Sequence, residues 1–207
     1  MKAGIIVAMQ SEFDALKSSG VTDVVKAGIG KVNAARAATE LILTDKPDFV
    51  INSGVAGSLR EDIRTFDVVF GSETAYHDVW CGEGSDFGQV EDLPQRFAAD
   101  PYLLSVARSL SSPRQHHEGL LITGDQFFIS LEEDDRQRRL YPDALACDME
   151  SAAIAQVCHL YGVPFLSFRV ISDVHTSGEV QKTSYKGFWK DLADDSFNVL
   201  KQLVEKI

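Results

Sequence analysis

The segment FLSFRVISDV, Phe165 to Val174, decides the fold class. Its apolar and β-branched residues read as a buried strand. The helix-length stretch before it, MESAAIAQVCHLYG, runs into Val163 and Pro164, which stop a helix and restart an extended chain. At the far end Ser172 and Asp173 appear together where the apolar run gives out. In an open α/β sheet the carboxyl ends of the strands line the ligand crevice, so an acid there is placed to meet a substrate. A helix N-cap or turn is the competing explanation for the pair.

Runs of the same kind recur outward from this segment: AGIIVAM, DVVKAGIG, DFVINSGVAG, FDVVFGSETAYH and GLLITGDQF. Helix-length stretches lie between several of them, namely KVNAARAATELILTD, DPYLLSVARSLSS and LEEDDRQRRLYP. Strands alternating with helices predict an α/β layered fold around a largely parallel sheet. The ending YKGFWKDLADDSFNVLKQLVEKI has apolar residues at helical spacing and reads as a closing amphipathic helix. Residues 79–96, VWCGEGSDFGQVEDLPQR, form the one long irregular segment, and loops of that length are commonly functional.

At 207 residues and 44% apolar, the chain suits a single domain spanning 1–207. The formal charge of −11 argues against a nucleic-acid partner, which needs a basic face, and points to a small-molecule ligand. Cys81, Cys147 and Cys158 are odd in number and lack metal-ligand spacing, so neither a disulfide framework nor a metal site is expected. A reducing cytoplasm fits. The apolar start meets Gln10, Ser11 and Glu12 too early for a signal peptide, and no segment reaches about 18 apolar residues, so no membrane role is expected.

Four strand ends carry polar residues or glycine: Glu12, the run Ser53 to Ser58, Gly124-Asp125 and Ser172-Asp173. Together they suggest one crevice edge. The loop NSGVAGSL, holding Val55, Ala56 and Gly57, permits close backbone approach to a sugar or phosphate, though taken alone a plain tight turn is the better reading. Dinucleotide and nucleotide-triphosphate sites are unsupported, because the G-x-G-x-x-G spacing and the Walker lysine are missing. In ACDMES, Asp148 and Glu150 flank Met149 before an Ala-rich helix. The helix dipole accounts well for one acid; a carboxylate fixed at a helix start also suits the vicinal hydroxyls of a ribose.

Other residues have plainer readings. His77 and Asp78 organise a loop rather than form a catalytic dyad. His116 and His117 sit in a polar connection, SSPRQHHEG, and are expected to be solvated. Cys147 is a buried inert thiol, and EEDDRQRR is a solvated helix face with local ion pairs.

Seven stretches, GIIVAMQSE, AGIGKVNAA, INSGVAGSL, YHD, GDQFF, DMESAAIAQVC and RVISDV, resemble in that order the 5′-methylthioadenosine/S-adenosylhomocysteine nucleosidases of the purine nucleoside phosphorylase and hydrolase superfamily. The resemblance covers nearly the whole chain. It implies a three-layer sandwich around a mixed, mostly parallel central sheet, hydrolysis of an adenine N-glycosidic bond by water, no cofactor or metal, and a homodimer. Glu12 would activate the water and Asp173, oriented by Ser172, would protonate the departing adenine at N7. Met149 and Glu150 would hold the ribose, while Met9 and Ile29 would line the ribose and 5′-substituent region. Phe127 would stack on the base, Phe128 would offer its main chain to the base edge, and Arg169 would support the water network. Val55, Ala56, Gly57 and Tyr185 join the substrate-binding set.

The chain departs from the family's pattern in three places. A strand hairpin of over twenty residues that usually follows the first helix has no counterpart in LKSSGVTDVVKAGIGK, which predicts a smaller sheet and a more open site. Val55 stands where many members have Ser. The segment YHDVWCGEGSDFGQVEDLP matches only at its ends, and in relatives that region covers the 5′-substituent from a neighbouring subunit. Two sister activities stay open: hydrolysis of another 5′-modified purine nucleoside such as futalosine, and phosphorolysis, which Glu12 disfavours because it would repel phosphate. A non-catalytic nucleoside-binding module is the remaining alternative.

Overall fold

Alternate residues along three strands face opposite layers of the protein. In β1 (Ala3–Val7), Ile5 and Val7 oppose Ile6; in β3 (Phe49–Ser58), Phe49 and Ile51 oppose Val50; in β8 (Phe165–Thr176), Leu166, Phe168 and Val170 oppose Phe165. Both faces are buried, so these strands read as continuous apolar runs. The computed structural model describes residues 1–127, 131–176, 179–180 and 198–207.

One covering layer is formed by α1 (Gln10–Ser18), α3 (Pro101–Arg108) and α6 (198–206), through Leu16, Leu103, Leu104, Ala107, Val199, Leu200 and Leu203. The other is α2 (Lys31–Asp45) and α5 (Ser151–Tyr161), whose inward residues are mostly alanines and so let both helices lie close to the sheet and to each other. Helix limits follow local chemistry. Asp100 caps α3, accepting from the Leu103 N–H at 3.0 Å with Pro101 behind it, and Gly162 ends α5 in the left-handed region at φ 66°. Only residues 19–23 separate α1 from β2 (Val24–Lys26), as expected from the short connection in the sequence.

The sheet is mixed. β2, β1 and β3 run parallel, and β3 pairs on with β8 in parallel and with β7 (Ala144–Asp148) in antiparallel sense. β7 joins β6 (His116–Thr123), β6 joins β4 (Val68–Tyr76), and β4 returns to β8. Five strands, β3, β7, β6, β4 and β8, therefore close into a ring. One residue from each, Ala56, Ala146, Leu121, Val69 and Ile171, joins a common buried cluster with Ile63. Leu59, Ala75, Leu120, Ile122 and Ala144 pack outside the ring with Tyr141, next to α4 (Leu131–Leu140).

Some sequence expectations change here. Of DVVKAGIG only three residues form a strand; Gly28 and Gly30, both at φ 95°, make the remainder a turn into α2. His116 and His117 open β6 rather than lie in a solvated connection, and His117 Nε2 lies 3.0 Å from Asp67 Oδ2. The segment after β4 is irregular as expected up to β5 (Arg96–Ala98), an antiparallel partner of β4. It is nevertheless tied down. The Gly88 N–H donates to the Val79 carbonyl at 2.8 Å, the Tyr141 hydroxyl donates to the Tyr76 carbonyl at 2.6 Å, and Phe87 packs beside Tyr141. Glycine is required at position 88, where φ is 85° and a Cβ would lie 2.5 Å from the Tyr76 carbonyl. On α4, Asp135 pairs with Arg138 one turn away at 3.6 Å, the expected local ion pair.

Candidate active site

Glu12 is fixed by the helix that carries it. It sits in the first turn of α1, and its carboxylate folds back so that Oε2 accepts from the Met9 N–H at 2.8 Å and the Ala8 N–H at 3.0 Å. Oε1 accepts from the Val55 N–H at 3.1 Å, across on β3. The side chain is buried, and burial raises its pKa despite the Met9 donor, the charge of Arg169 and the other two N–H groups. Gly54 makes room for this: a Cβ there would lie 2.8 Å from Glu12 Oε1 and closer still to Arg169 Nη1.

Behind Glu12 lies a sealed polar network centred on Arg169. Its Nε donates to Asp148 Oδ2 at 2.8 Å, its Nη2 donates to Asn52 Oδ1 and, at 3.0 Å, to Ser151 Oγ, and Glu150 Oε2 lies 3.8 Å from Nη2. Asp148 also accepts from the N–H groups of Glu150 and Ser151 at 3.1 Å each, from Thr123 Oγ1 at 2.6 Å and from the Ser151 hydroxyl. Asp148 is thus the acid that the helix start explains. Burial opposes its ionisation, yet Arg169 and these donors together hold it below the usual aspartate value.

Glu150 is the other acid. Its Oε1 accepts from the Gly30 N–H at 3.0 Å, and burial pushes its pKa up to about 7 against the pull of Arg169. One guanidinium therefore faces three buried carboxylates, with Asp148 its closest ion-pair partner.

Asp173 reaches the same strand by a β-bulge. Ala56 pairs with Ile171, but Gly57 pairs with Asp173, leaving Ser172 as the extra residue. The Ser172 hydroxyl donates to the Ala56 carbonyl at 3.3 Å and bonds Asp173 Oδ1. Gly57 gives Asp173 its place, since a Cβ there would stand 3.2 Å from Oδ2. Glu12 at Val55 and Asp173 at Gly57 thus meet β3 two residues apart, about 7 Å along a strand.

Met149 is half-buried between the two acids of its motif. Ile29 and Phe127 are 53% and 65% exposed. Phe128 and Tyr185 lie outside the described residues. The Asp78 carboxylate is taken up by Lys31 and by the Asp125 N–H, in keeping with a loop-organising role for the YHD motif. Cys147 Sγ is half-buried and donates to the Gly57 carbonyl at 3.6 Å. Sequence reasoning missed Asn52, Thr123, Ser151 and Ser167, which complete the Arg169 network; the available signal was a polar residue inside an apolar strand run, as in DFVIN and FLSF. Among the described residues no three His, Cys, Asp or Glu side chains are grouped to hold a metal ion, and no helix is long and apolar enough to cross a membrane.

The sequence profile of the Phosphorylase superfamily matches residues 20–205 of this chain. Within it, the 5′-methylthioadenosine/S-adenosylhomocysteine nucleosidase of Chromohalobacter salexigens is 39% identical over 89% of this chain and 79% of its own length. That of Geobacillus thermodenitrificans is 36% identical over 99% of this chain and 96% of its own. The alignment with the latter spans 229 positions against a chain of 207 residues, so at least 22 positions have no counterpart here. The nucleosidase of Neisseria meningitidis, solved with methylthio-immucillin-A, superposes with a TM-score of 0.88 at 33% identity over 99% of both chains. The chain belongs to the family of 5′-methylthioadenosine/S-adenosylhomocysteine nucleosidases.

Proposed function

We propose that the protein hydrolyses the N-glycosidic bond of 5′-methylthioadenosine, S-adenosylhomocysteine or both, releasing adenine and the 5′-thioribose, and that it works as a homodimer in the cytoplasm. The observation that carries this reading is the Glu12 carboxylate, buried yet held by three N–H groups and kept basic by burial. Binding alone does not call for such a group.

In the reaction a Glu12 oxygen takes a proton from water while the water oxygen bonds to C1′ of the ribose. The C1′–N9 bond breaks, its electron pair goes to the adenine, and Asp173 delivers a proton to N7. Inversion in glycoside hydrolysis needs sugar and water between two acids, and the attachment of Glu12 and Asp173 to β3 two residues apart supports that reading. Glu150 accepts from the ribose hydroxyls, with Met149 beside it. Arg169, already committed to Asp148, holds the network's charge without neutralising Glu12. Phe127 and Ile29 cover base and sugar from the rim, with Phe128 and Tyr185 belonging to the same substrate-binding set.

The test is a substrate panel with product identification: methylthioadenosine, S-adenosylhomocysteine, adenosine, inosine and futalosine, each with and without phosphate. Free adenine and free thioribose, at a rate phosphate does not raise, are expected. Formation of ribose 1-phosphate would move the protein to the phosphorylases, and preference for futalosine would change the substrate.

A further inference from the structure

Three chain segments meet at the rim of the site, and a closed set of bonds ties them. The Lys31 N–H donates to Asp125 Oδ1 at 2.8 Å; the Asp125 N–H donates to Asp78 Oδ2 at 2.9 Å; both Asp78 oxygens lie 2.7 Å from Lys31 Nζ. Lys31 opens α2, Asp78 follows β4 and Asp125 follows β6, so the ring of contacts clasps three elements that are remote in sequence. The ammonium is further held 4.0 Å from Asp125 Oδ2 and 5.5 Å from the centre of the Tyr76 ring. Lys31 and Asp78 side chains are only 22% and 18% exposed, which screens the pair less than an open surface would.

Two of the three clasped segments, those of Lys31 and Asp125, carry part of the nucleoside site. Beside Lys31, the Gly30 N–H donates to Glu150 Oε1, and Ile29 precedes it. Two residues beyond Asp125 is Phe127. The turn carrying Ile29 is bounded by two glycines at φ 95°, and a Cβ on Gly30 would lie 3.0 Å from Asp125 Oδ1, so the turn relies on its contacts to hold its place.

We propose that Lys31 is a positioning residue for nucleoside binding: by closing the clasp with Asp78 and Asp125 it sets the distance between the ribose-holding Glu150 and the base-stacking Phe127. The proposal rests on the functional reading above. Loosening the clasp weakens ground-state and transition-state binding alike, because neither proton-transfer group belongs to it.

The experiment is a steady-state double-mutant cycle on the full chain with methylthioadenosine, following adenine release. Lys31→Met and Asp78→Asn are each expected to raise KM about tenfold with kcat within about threefold. The double variant is expected to be no worse than the worse single, and Lys31→Arg to keep KM near the parent value. A merely structural role would lower the amount of active enzyme and thus the maximal rate, leaving KM unmoved. Unchanged KM in both singles, or effects that multiply in the double variant, would overturn the proposal. Should Lys31→Met not fold, Asp78→Asn and Lys31→Arg alone carry the same contrast. If the parent protein releases no adenine, the functional reading fails; if it does and KM stays put in the variants, only the clasp fails.

Discussion

Arg169 and Asp148 form an ion pair sealed from solvent: Nε lies 2.8 Å from Oδ2 and each side chain is 1% exposed. The pair sits directly behind the Glu12 and Glu150 carboxylates and decides how much positive charge they feel.

Removing one partner leaves the other charge buried and uncompensated. Asp148→Asn is therefore expected to cost about 3–5 kcal/mol of stability, read as a lower urea midpoint. Arg169 then falls back on Glu12 and Glu150, so the acid limb of the pH profile should move to lower pH in the same variant. A loss below about 1 kcal/mol, with an unmoved acid limb, would show that Asp148 serves only as a cap.

Glu12 acts as a base only when ionised, and its pKa is raised above the ordinary 4.5. Activity should accordingly fall as pH drops, with kcat/KM breaking above that value. Glu12→Gln should remove the Glu12 contribution to this limb and leave that of Glu150, lower turnover by about 10²–10⁴ and keep ligand affinity within about tenfold. Near-normal turnover in this variant would reduce Glu12 to a helix-start residue.

If Asp173 is the proton donor, the damage from Asp173→Asn depends on the leaving group. With a purine nucleoside the variant should lose about 3–5 kcal/mol of transition-state stabilisation. With a nitrophenyl riboside, whose leaving group departs as a stable anion, the loss should be much smaller. Equal losses on both substrates would assign Asp173 to structure or binding.

The proposed homodimer has a surface to use. Ile29, Val32, Trp80 and Phe127 are 53%, 81%, 61% and 65% exposed, and all lie within two residues of Lys31, Asp78 or Asp125, which touch one another. Sedimentation at micromolar concentration should give a dimer, and Val32→Glu with Trp80→Glu should dissociate it with loss of activity. A fully active monomer would refute the assembly.

Helices with strong periodicity and clear stops, such as α2 and α5, were legible in the sequence, as were the buried strands that flank them. β7 was not: ALACD is short, lacks β-branched residues and runs straight into a helix start, so it reads as a lead-in. The ring closure was also hidden, because it rests on pairings of β8 with both β3 and β4 that no local pattern encodes. Within the site, Glu12 and Asp173 stood out as acids ending apolar runs. Their common dependence on Gly54 and Gly57 appears only when the strands are side by side.

Those two glycines imply a map of where the chain can change length. Only five residues join α1 to β2, at the margin of the sheet, and the alignment with the longer relative leaves at least 22 positions without a counterpart in this chain. Between Val55 and Gly57 not even one residue can be added or lost. A single-residue indel there would turn every later side chain of β3 to the opposite face, carry Gly57 away from Asp173 and put a Cβ-bearing neighbour in its place. Change at the centre of this fold is therefore confined to substitution, whereas a connection at the sheet margin such as residues 19–23 carries no such register to keep.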